Sequence, residues 1–464
     1  MERLKRTREN DSFSAKILFI SLGCDKNLVD SEVMLGELAE EGFSFTDEEI
    51  EADIVIVNTC CFIRDAKEES IETILEIAEL KKSGQIRALL VTGCLAERYR
   101  EEIRKEIPEV DAVLGIADIH SIVQAVKEVL SGNGRDHFDE SGKTFRSGRK
   151  RLVTTGGHYA YLKIAEGCDK HCTYCIIPKI RGKYRSAPME ELVEEARMLA
   201  AEGVRELILV AQETTLYGVD LYGEKMLPEL LRRLCEIEEL HWIRILYCYP
   251  EEITKELVEV IRQEPKICNY LDIPIQHASN DVLKRMGRRT DEEDLRRIIG
   301  LLRREIPDVC LRTTLISGFP GESEEDFIRL YRFVNEMEFD RLGVFAYSLE
   351  EDTPAASMAD QIPEEIKEKR LDELMELQQE IAFEKAAKKE GKLLEAVVEG
   401  YLPEEGVYVA RTYMDAPNVD GYLFLTSDRE MDSGSFVRAK VTGSSGYDLT
   451  GIEISGERED EFTE

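Results

Sequence analysis

The chain has 464 residues, a formal net charge of −34 and 43% hydrophobic residues. This length is more than one hydrophobic core normally serves, so we expect two or three domains. The acidic balance argues against a generic nucleic-acid binder, and the charged start MERLKRTREN with no long apolar run after it argues against a secretory signal or a membrane span.

We therefore expect a cytoplasmic protein. In that reducing compartment its eleven cysteines are better explained as metal ligands or core residues than as disulfides. The negative charge favours a basic partner through long-range steering. The alternative is that the negative charge serves only to keep the protein soluble.

Residues 16–130, which follow a charged tail at 1–15, alternate apolar runs with amphipathic helical stretches. The runs are KILFISLG, ADIVIVNT, ALLVTG and DAVLG, and the stretches between them include NLVDSEVMLGELAEEG and KEESIETILEIAELKKSG. Strands and helices in alternation predict an N-terminal α/β domain with a parallel sheet and helices on its faces. The polar, glycine-bearing segment 131–157 is predicted to be a linker.

Three cysteines of this domain follow three of its predicted strands. They are Cys24 in FISLGCDKN, Cys60 in IVIVNTCCF and Cys94 in LLVTGCLAE. Because open α/β sheets bind ligands at the carboxyl ends of their strands, the pattern predicts a three-cysteine metal site. Buried cysteines are also common packing residues. Strand alternation assigns Cys61 to that class.

Residues 158–387 contain a second series of strands and helices. Helical stretches separate six strand-like runs, which are YLKIAEG, ELILVAQ, WIRILYCYP, YLDIPIQ, LRTTLISGFPG and RLGVFAYS. Six units predict a partial (βα) barrel, an incomplete form of the closed eightfold barrel, with its working face at the strand carboxyl ends. A charged amphipathic helix at 364–390 connects it to the rest of the chain.

The motif AEGCDKHCTYC follows the first of these strands and contains Cys168, Cys172 and Cys175. Three thiolates can ligate three irons of a [4Fe–4S] cluster and leave the fourth iron open to a small molecule. The alternative is a zinc knuckle completed by His171 or a distant residue, although ligation by adjacent His171 and Cys172 would be strained. The cysteines in apolar patterns are predicted to be packing residues: Cys235, Cys248, Cys268 and Cys310.

Residues 388–455 change to an alternation by two, in LLEAVVEGYL, GVYVARTY, GYLFLT and SFVRAKVTG. Such runs between turn residues predict a small antiparallel β-barrel of the OB type. From Lys392 to Glu464 the chain has six basic and sixteen acidic residues. This negative charge would repel RNA and attract a basic protein. The alternative is that the segment is an inert appendage. Residues 456–464 are predicted to be disordered.

The spacing of Cys168, Cys172 and Cys175, with Tyr174 before the last, resembles the signature of the radical S-adenosylmethionine (SAM) enzymes. Its position after the first strand of a six-stranded partial barrel is similar as well. The resemblance implies a cluster whose open iron binds SAM. An electron from the cluster then cleaves SAM to methionine and a 5′-deoxyadenosyl radical.

Further cofactor contacts follow from the same resemblance. It implies that Gln212 in VAQETTLYG contacts the methionine moiety, that Ile316 and Gly318 in TTLISGFPGE lie near the adenine, and that Tyr174 packs there too. The alternative for each is ordinary strand-end structure. The basic stretch PKIRGKYRS at 178–186 is expected to bind an acidic substrate group or the cofactor carboxylate, or else to face solvent.

Two three-cysteine sites followed by a small β-barrel resemble the methylthiotransferases. SLGCDKNLVDSEVMLG and HYAYLKIAEGCDKHCTYCIIPKIRG are more similar to the RimO branch of this family than to its tRNA branch. The resemblance implies a TRAM barrel, two [4Fe–4S] clusters, SAM as both radical source and methyl donor, and methylthiolation of an aspartate β-carbon in the twelfth small-subunit ribosomal protein. Asp25 stands where proline is expected and Cys61 where glycine is expected, and Cys61 could compete for iron.

The expected partners are the basic ribosomal protein, an electron donor and a sulfur donor, without a membrane and without direct nucleic-acid binding. One alternative is an enzyme that adds the methylthio group to an adenosine of tRNA, since OB-type barrels often bind nucleic acid. An alternative of another class is a non-catalytic iron–sulfur carrier. Such carriers normally have four protein ligands for each cluster, which neither triplet supplies.

Overall fold

The computed structural model describes residues 15–138 and 151–454. The tails predicted at 1–15 and 456–464 lie outside the described residues, except for residue 15. Positions 139–150 of the predicted linker also lie outside them. The chain divides into two compact units. The first unit comprises Met1–Thr154, Lys163–Glu195 and Ser348–Thr353, and the second comprises Thr155–Leu162, Ala196–Tyr347 and Pro354–Glu464.

The first unit contains a five-stranded parallel sheet flanked by helices. Its strands are β1 (Lys16–Ser21), β2 (Ser44–Phe45), β3 (Ile54–Thr59), β4 (Ala88–Gly93) and β5 (Ala112–Val113). Its helices here are α1 (Asp25–Glu40), α2 (Arg64–Lys82), α3 (Cys94–Arg98), α4 (Arg100–Glu106) and α5 (Ile122–Leu130). The strand order is β2-β1-β3-β4-β5. This confirms the predicted α/β domain and adds β2, which no apolar run indicated.

The central strand β3 is buried on both faces of the sheet. Its sequence IVIVNT is buried along its whole length. Ile54 and Ile56 belong to the hydrophobic core on one face, and Val55 and Val57 belong to the core on the other. A continuous apolar run of this kind is typical of a strand with helices packed on both sides.

The segment that carries the second cysteine triplet also belongs to the first unit. It runs between the short antiparallel strands β7 (Ala165–Glu166) and β8 (Arg185–Ser186) and includes the one-turn helix α6 (Ile177–Ile180). Helix α7 (Met189–Ala201) follows. The β7–β8 pairing closes the segment into a loop.

The second unit contains a six-stranded sheet. Its strands are β6 (Tyr159–Lys163), β9 (Glu206–Val210), β10 (Trp242–Ile245), β11 (Ile267–Asp272), β12 (Cys310–Ser317) and β13 (Arg341–Ala346), in the order β6-β9-β10-β11-β12-β13. The helices between them are α8 (Val219–Tyr222), α9 (Leu227–Cys235), α10 (Lys255–Gln263), α11 (Asn280–Arg285), α12 (Glu292–Glu305) and α13 (Glu324–Met337). Strands β9 to β13 pair in parallel. The six predicted strands and their open, barrel-type order are confirmed.

A closed β-barrel ends the second unit and follows the long helix α14 (Glu364–Ala387). Its strands are β14 (Leu393–Leu402), β15 (Val407–Thr412), β16 (Leu423–Thr426), β17 (Phe436–Ser445) and β18 (Asp448–Glu453), in the order β14-β15-β16-β18-β17. The expected antiparallel pairing holds except between β16 and β18, which are parallel. This exception follows from β18, a fifth strand that was not among the four predicted runs.

A buried ion network joins this barrel to the six-stranded sheet within the second unit. Glu206, at the start of β9, accepts hydrogen bonds from Arg244 at 2.7 Å and from Arg411 of β15 at 2.7 Å. The side chains are 0%, 0% and 1% exposed, respectively. In the described part of the chain, none of the helices combines the length and the apolar character needed to cross a bilayer.

Two cysteine triplets as candidate metal centres

The first triplet, Cys24, Cys60 and Cys94, lies at the carboxyl edge of the first unit's sheet. Cys60 directly follows β3 and Cys94 directly follows β4, and the pairing of Thr59 with Gly93 sets these two strand ends side by side. Cys24 lies just after β1 and immediately before α1. The strand order reverses between β1 and β3, which is where open α/β sheets bind their ligands.

The thiols of this triplet are close enough to influence one another. Burial raises the pKa of Cys94 to about 12, the Arg181 guanidinium opposes this, and negative charge on Cys24 or Cys60 would raise that pKa further. Burial also raises the pKa of Cys60, and a charge on Cys24 adds to it. Three mutually repelling thiolates need a compensating positive charge to ionise together, so this donor set fits a metal cluster.

Two glycines let the backbone bring these cysteines together. Gly93, directly before Cys94, has a φ of +92°, and a Cβ built on it would lie 2.6 Å from the backbone nitrogen of Thr59 and closer still to its oxygen. A Cβ on Gly23 would lie 2.6 Å from the Cβ of Cys60. Real side chains do not fit at either position. The Gly-Cys pairs are a signal in the sequence that the prediction did not use.

The two departures from the expected family pattern have local explanations. Asp25 begins α1 and pairs with Lys26 at 3.0 Å. An acidic residue suits the first turn of a helix, as does proline, so the helix start is kept. Cys61 is fully buried in the hydrophobic core, and burial raises its pKa to about 12. Its prediction as a core residue is confirmed.

The second triplet, Cys168, Cys172 and Cys175, lies on the loop between β7 and α6. The Cys175 amide donates to the Cys172 carbonyl at 3.0 Å, which forms a turn. The Cys168 amide donates to the carbonyl of Gly182 at 3.2 Å. Gly167 has a φ of +79°, and a Cβ on it would lie 2.6 Å from the Gly182 oxygen. The loop is therefore folded back on its own return segment.

The geometry does not support the zinc alternative at this loop. His171 is exposed, with a φ of +53°. Among the residues that the structure describes, no group of three or more His, Cys, Asp or Glu side chains is arranged to hold a single metal ion. A [4Fe–4S] cluster spreads its three thiolates over separate irons and so tolerates a wider spacing. Within the part of the chain that the structure describes, none of the six triplet cysteines forms a disulfide.

A buried network of charges lies beside the first triplet. The guanidinium of Arg181 donates to Asp30 and Glu166, each at 2.9 Å, and to the Cys94 sulfur at 3.5 Å. Lys163 also pairs with Asp30 and, at 2.8 Å, with Glu166. Burial raises the pKa of Glu166, but Arg181 and Lys163 outweigh this and hold it well below its usual range. Two cations thus balance two carboxylates beside the first triplet.

This network corrects the expectation for Arg181 within the basic stretch 178–186. Lys179 and Lys183 are exposed, but Arg181 is only 3% exposed and has protein carboxylates as its partners. Arg181 therefore neither faces solvent nor is free to bind an acidic substrate group. Its partner Asp30 is 151 residues away in the chain, which no local motif could reveal.

Three of the four residues predicted to contact SAM lie at strand ends. Gln212 follows β9, Ile316 lies within β12 and Gly318 follows β12, so all three are near the carboxyl edge of the six-stranded sheet. The Gly318 amide donates to Glu322 at 2.7 Å. Tyr174 is half-buried in the cysteine loop of the first unit. Contact of these four residues with SAM stays a prediction.

The four remaining cysteines lie in the second unit. Cys248, Cys268 and Cys310 are buried, and Cys235, at the end of α9, is half-buried. These positions are those of packing residues.

Three family models match successive parts of the chain. An uncharacterized protein family, UPF0004, matches residues 16–115, the Radical SAM superfamily matches residues 162–334, and the TRAM domain matches residues 391–454. The TRAM match covers the closed barrel, and the Radical SAM match begins within β6 and continues through α13 almost to its end.

Two curated proteins are similar over nearly the whole chain, and both are named ribosomal protein uS12 methylthiotransferase RimO. The one from Lachnoclostridium phytofermentans is 62% identical over 94% of this chain and 99% of its own length. The one from Clostridioides difficile is 49% identical over 94% of this chain and 98% of its own length. Among solved structures, the radical SAM methyltransferase TsrM from Kitasatospora setae has a TM-score of 0.55, 15% identity and 74% coverage of each chain. That likeness shows the fold alone.

Proposed function

The chain belongs to the family of the ribosomal protein uS12 methylthiotransferase RimO, and from this membership we propose that it methylthiolates the β-carbon of an aspartate in ribosomal protein uS12. SAM serves as radical source and as methyl donor. The observation that carries this proposal is the 62% identity over 94% of the chain. The described fold and both triplets agree with it.

The loop of Cys168, Cys172 and Cys175 would hold the [4Fe–4S] cluster that binds SAM. When bound, that cluster supplies the electron for the reductive cleavage of SAM. The protein's part is to fix three thiolates in a folded loop and to leave one iron open. From the family resemblance we propose Tyr174, Gln212, Ile316 and Gly318 as residues that contact SAM.

Cys24, Cys60 and Cys94 would hold a second [4Fe–4S] cluster, which we propose as the site of the sulfur or methylthio group that is transferred. The support is that Cys24, Cys60 and Cys94 each follow a strand at the same edge of the first unit's sheet, with Arg181 beside Cys94. The inserted sulfur cannot come from SAM if SAM gives only its methyl group. A separate sulfur donor and an electron donor are therefore required partners.

A basic protein suits the terminal barrel better than RNA does. Arg411 is buried and forms ion pairs with Glu206 and, at 2.6 Å, with Glu399. Arg429 is paired with Glu453 at 2.8 Å. Because the segment from Lys392 has only six basic residues, these pairings leave few cations for phosphate groups. This supports a ribosomal protein as the substrate, in the cytoplasm, with no need for direct nucleic-acid binding.

We also propose a functional division of the chain. Residues 16–130 form the methylthiotransferase α/β domain, 131–157 a linker, 158–387 the radical SAM partial barrel with its connecting helix, and 388–455 the TRAM barrel. The three family models fall within these limits.

The test is a direct comparison of substrates. Anaerobically reconstituted protein, SAM, sulfide and dithionite are incubated with either uS12 or tRNA, and the mass gain of one methylthio group is sought on each. We expect the gain on uS12. Cys172→Ala should abolish it, whereas Cys235→Ala, which removes a thiol outside both triplets, should retain it. A gain on tRNA alone would overturn the proposed substrate.

The same incubation separates the enzyme from a non-catalytic iron–sulfur carrier. Reductive cleavage of SAM releases 5′-deoxyadenosine, which a carrier would not produce. Iron-loaded protein that released none under dithionite would favour the carrier and contradict the proposed reaction.

A further inference from the structure

Arg181 lies on the segment that carries the second triplet, and its side chain contacts a cysteine of the first. It directly follows α6, six residues after Cys175. Its side chain is 1% exposed. A buried arginine remains charged, so its position implies that the surrounding groups are arranged to hold a positive charge there.

The guanidinium is fixed by its two terminal nitrogens. Nη1 donates to the carboxylates of Asp30 and Glu166, each at 2.9 Å. Nη2 donates to the Asn27 side-chain oxygen at 3.1 Å and to the Cys94 sulfur at 3.5 Å. The guanidinium is planar, and two carboxylates hold Nη1. The direction of the N–H groups on Nη2 is therefore fixed as well. The N–H group that reaches the sulfur is therefore set by the protein.

A hydrogen bond to a ligand sulfur, and a positive charge beside it, both stabilise the reduced and more negative state of an iron–sulfur cluster. We propose that Arg181 is a positioning residue that raises the reduction potential of the cluster held by Cys24, Cys60 and Cys94. This inference rests on the second cluster of the proposed function. The electron enters the cluster in one step, with no bond made or broken.

The structure also explains why the carboxylates do not cancel this effect. Asp30 and Glu166 are matched by two cations, Arg181 and Lys163. Without Arg181, two buried carboxylates would share a single ammonium group near the Cys94 thiolate. The cluster would then lose a donor and gain uncompensated negative charge, and both changes disfavour reduction.

The test measures the potential of this cluster alone. In the full chain with Cys168, Cys172 and Cys175 replaced by Ala, the cluster is reconstituted anaerobically and titrated with dithionite while its EPR signal is followed. Arg181→Met should lower the reduced-to-oxidised ratio at a fixed potential about tenfold, which is about 59 mV for a one-electron couple. Arg181→Lys keeps the charge and should lie between Met and the parent.

The control separates this electrostatic role from stability. Arg244 is also a buried arginine, and its partners are Glu206 and the carbonyls of Thr412 and Tyr413 in the second unit. Arg181→Met and Arg244→Met should both lower the thermal midpoint of the apoprotein. Only the change at Arg181 should shift the potential.

Each result has a defined meaning. A potential unchanged in Arg181→Met, or shifted equally in Arg244→Met, overturns the inference. If Arg181→Met holds no cluster, Arg181→Lys decides, and a midpoint at or above that of the parent overturns the inference. If the parent with three alanines binds no iron, the proposed second cluster itself fails.

Discussion

Replacement of Gly93 by alanine should remove one cluster and spare the other. Gly93 has a φ of +92° and a ψ of −161°, in a region that is essentially restricted to glycine. Forcing another residue into it costs about 1–3 kcal/mol. The added Cβ would also lie 2.6 Å from the Thr59 backbone nitrogen. That nitrogen belongs to the buried strand β3, and overpacking of this kind costs about 1–3 kcal/mol.

The combined cost is about 2–6 kcal/mol, and the simplest relief is for the end of β4 to move away from β3. Cys94 directly follows Gly93, so its thiol would move away from Cys60. We therefore expect Gly93→Ala to bind about half of the iron of the parent protein, while it still cleaves SAM through the Cys168 loop. The assay is iron and sulfide analysis after anaerobic reconstitution, with 5′-deoxyadenosine measured in parallel.

Gly84→Ala is the matched control. Gly84 also has a positive φ, +79°, but an added Cβ would meet nothing within 4 Å. The Gly84→Ala variant bears only the conformational cost of about 1–2 kcal/mol and should bind as much iron as the parent protein. Full iron content in Gly93→Ala, or equal losses in both variants, would refute the reasoning.

The remaining predictions concern other residues. Cys172→Ala should retain about half of the iron and release no 5′-deoxyadenosine, and continued release would contradict the assigned SAM site. Glu206→Gln leaves Arg244 and Arg411 buried without their carboxylate and should lower the free energy of unfolding, measured with urea, by about 3–5 kcal/mol. No loss would show that this network does not stabilise the second unit. Burial raises the pKa of Glu206, but Arg411 and Arg244 outweigh it and lower that pKa. Its stabilisation is then complete above the ordinary carboxyl pKa of about 4.3 and is lost as the pH falls through the lower native value. The difference between parent and Glu206→Gln should stay constant from neutral pH down to about 4.3 and shrink only below it, and a difference that shrinks near neutral pH would contradict this assignment.

The elements that the sequence predicted correctly are those with a strong local pattern. The run IVIVNT predicted β3 because a strand buried on both faces is apolar throughout. Strands β9 and β10 of the six-stranded sheet are likewise buried throughout. Strand β13 has only one buried residue and was predicted from the run RLGVFAYS alone. The strand β18 and its parallel pairing with β16 were not predicted, because register in a closed barrel depends on long-range pairing.

The candidate sites were predicted only in part. The cysteines of both triplets were visible as strand-end or loop residues, and all six lie in the first unit. Arg181 was predicted to bind an acidic substrate group or the cofactor carboxylate, or else to face solvent. Its partners Asp30 and Glu166 lie on other elements, and no local spacing links them. Burial of a charge depends on the whole fold, which the local sequence does not encode.

The number of irons bound by the unmodified chain tests the central claim most directly. After oxygen-free reconstitution and removal of loosely bound metal, two [4Fe–4S] clusters predict about eight irons and about eight sulfides per chain. A value of about four would mean that only one triplet holds a cluster and would contradict the account.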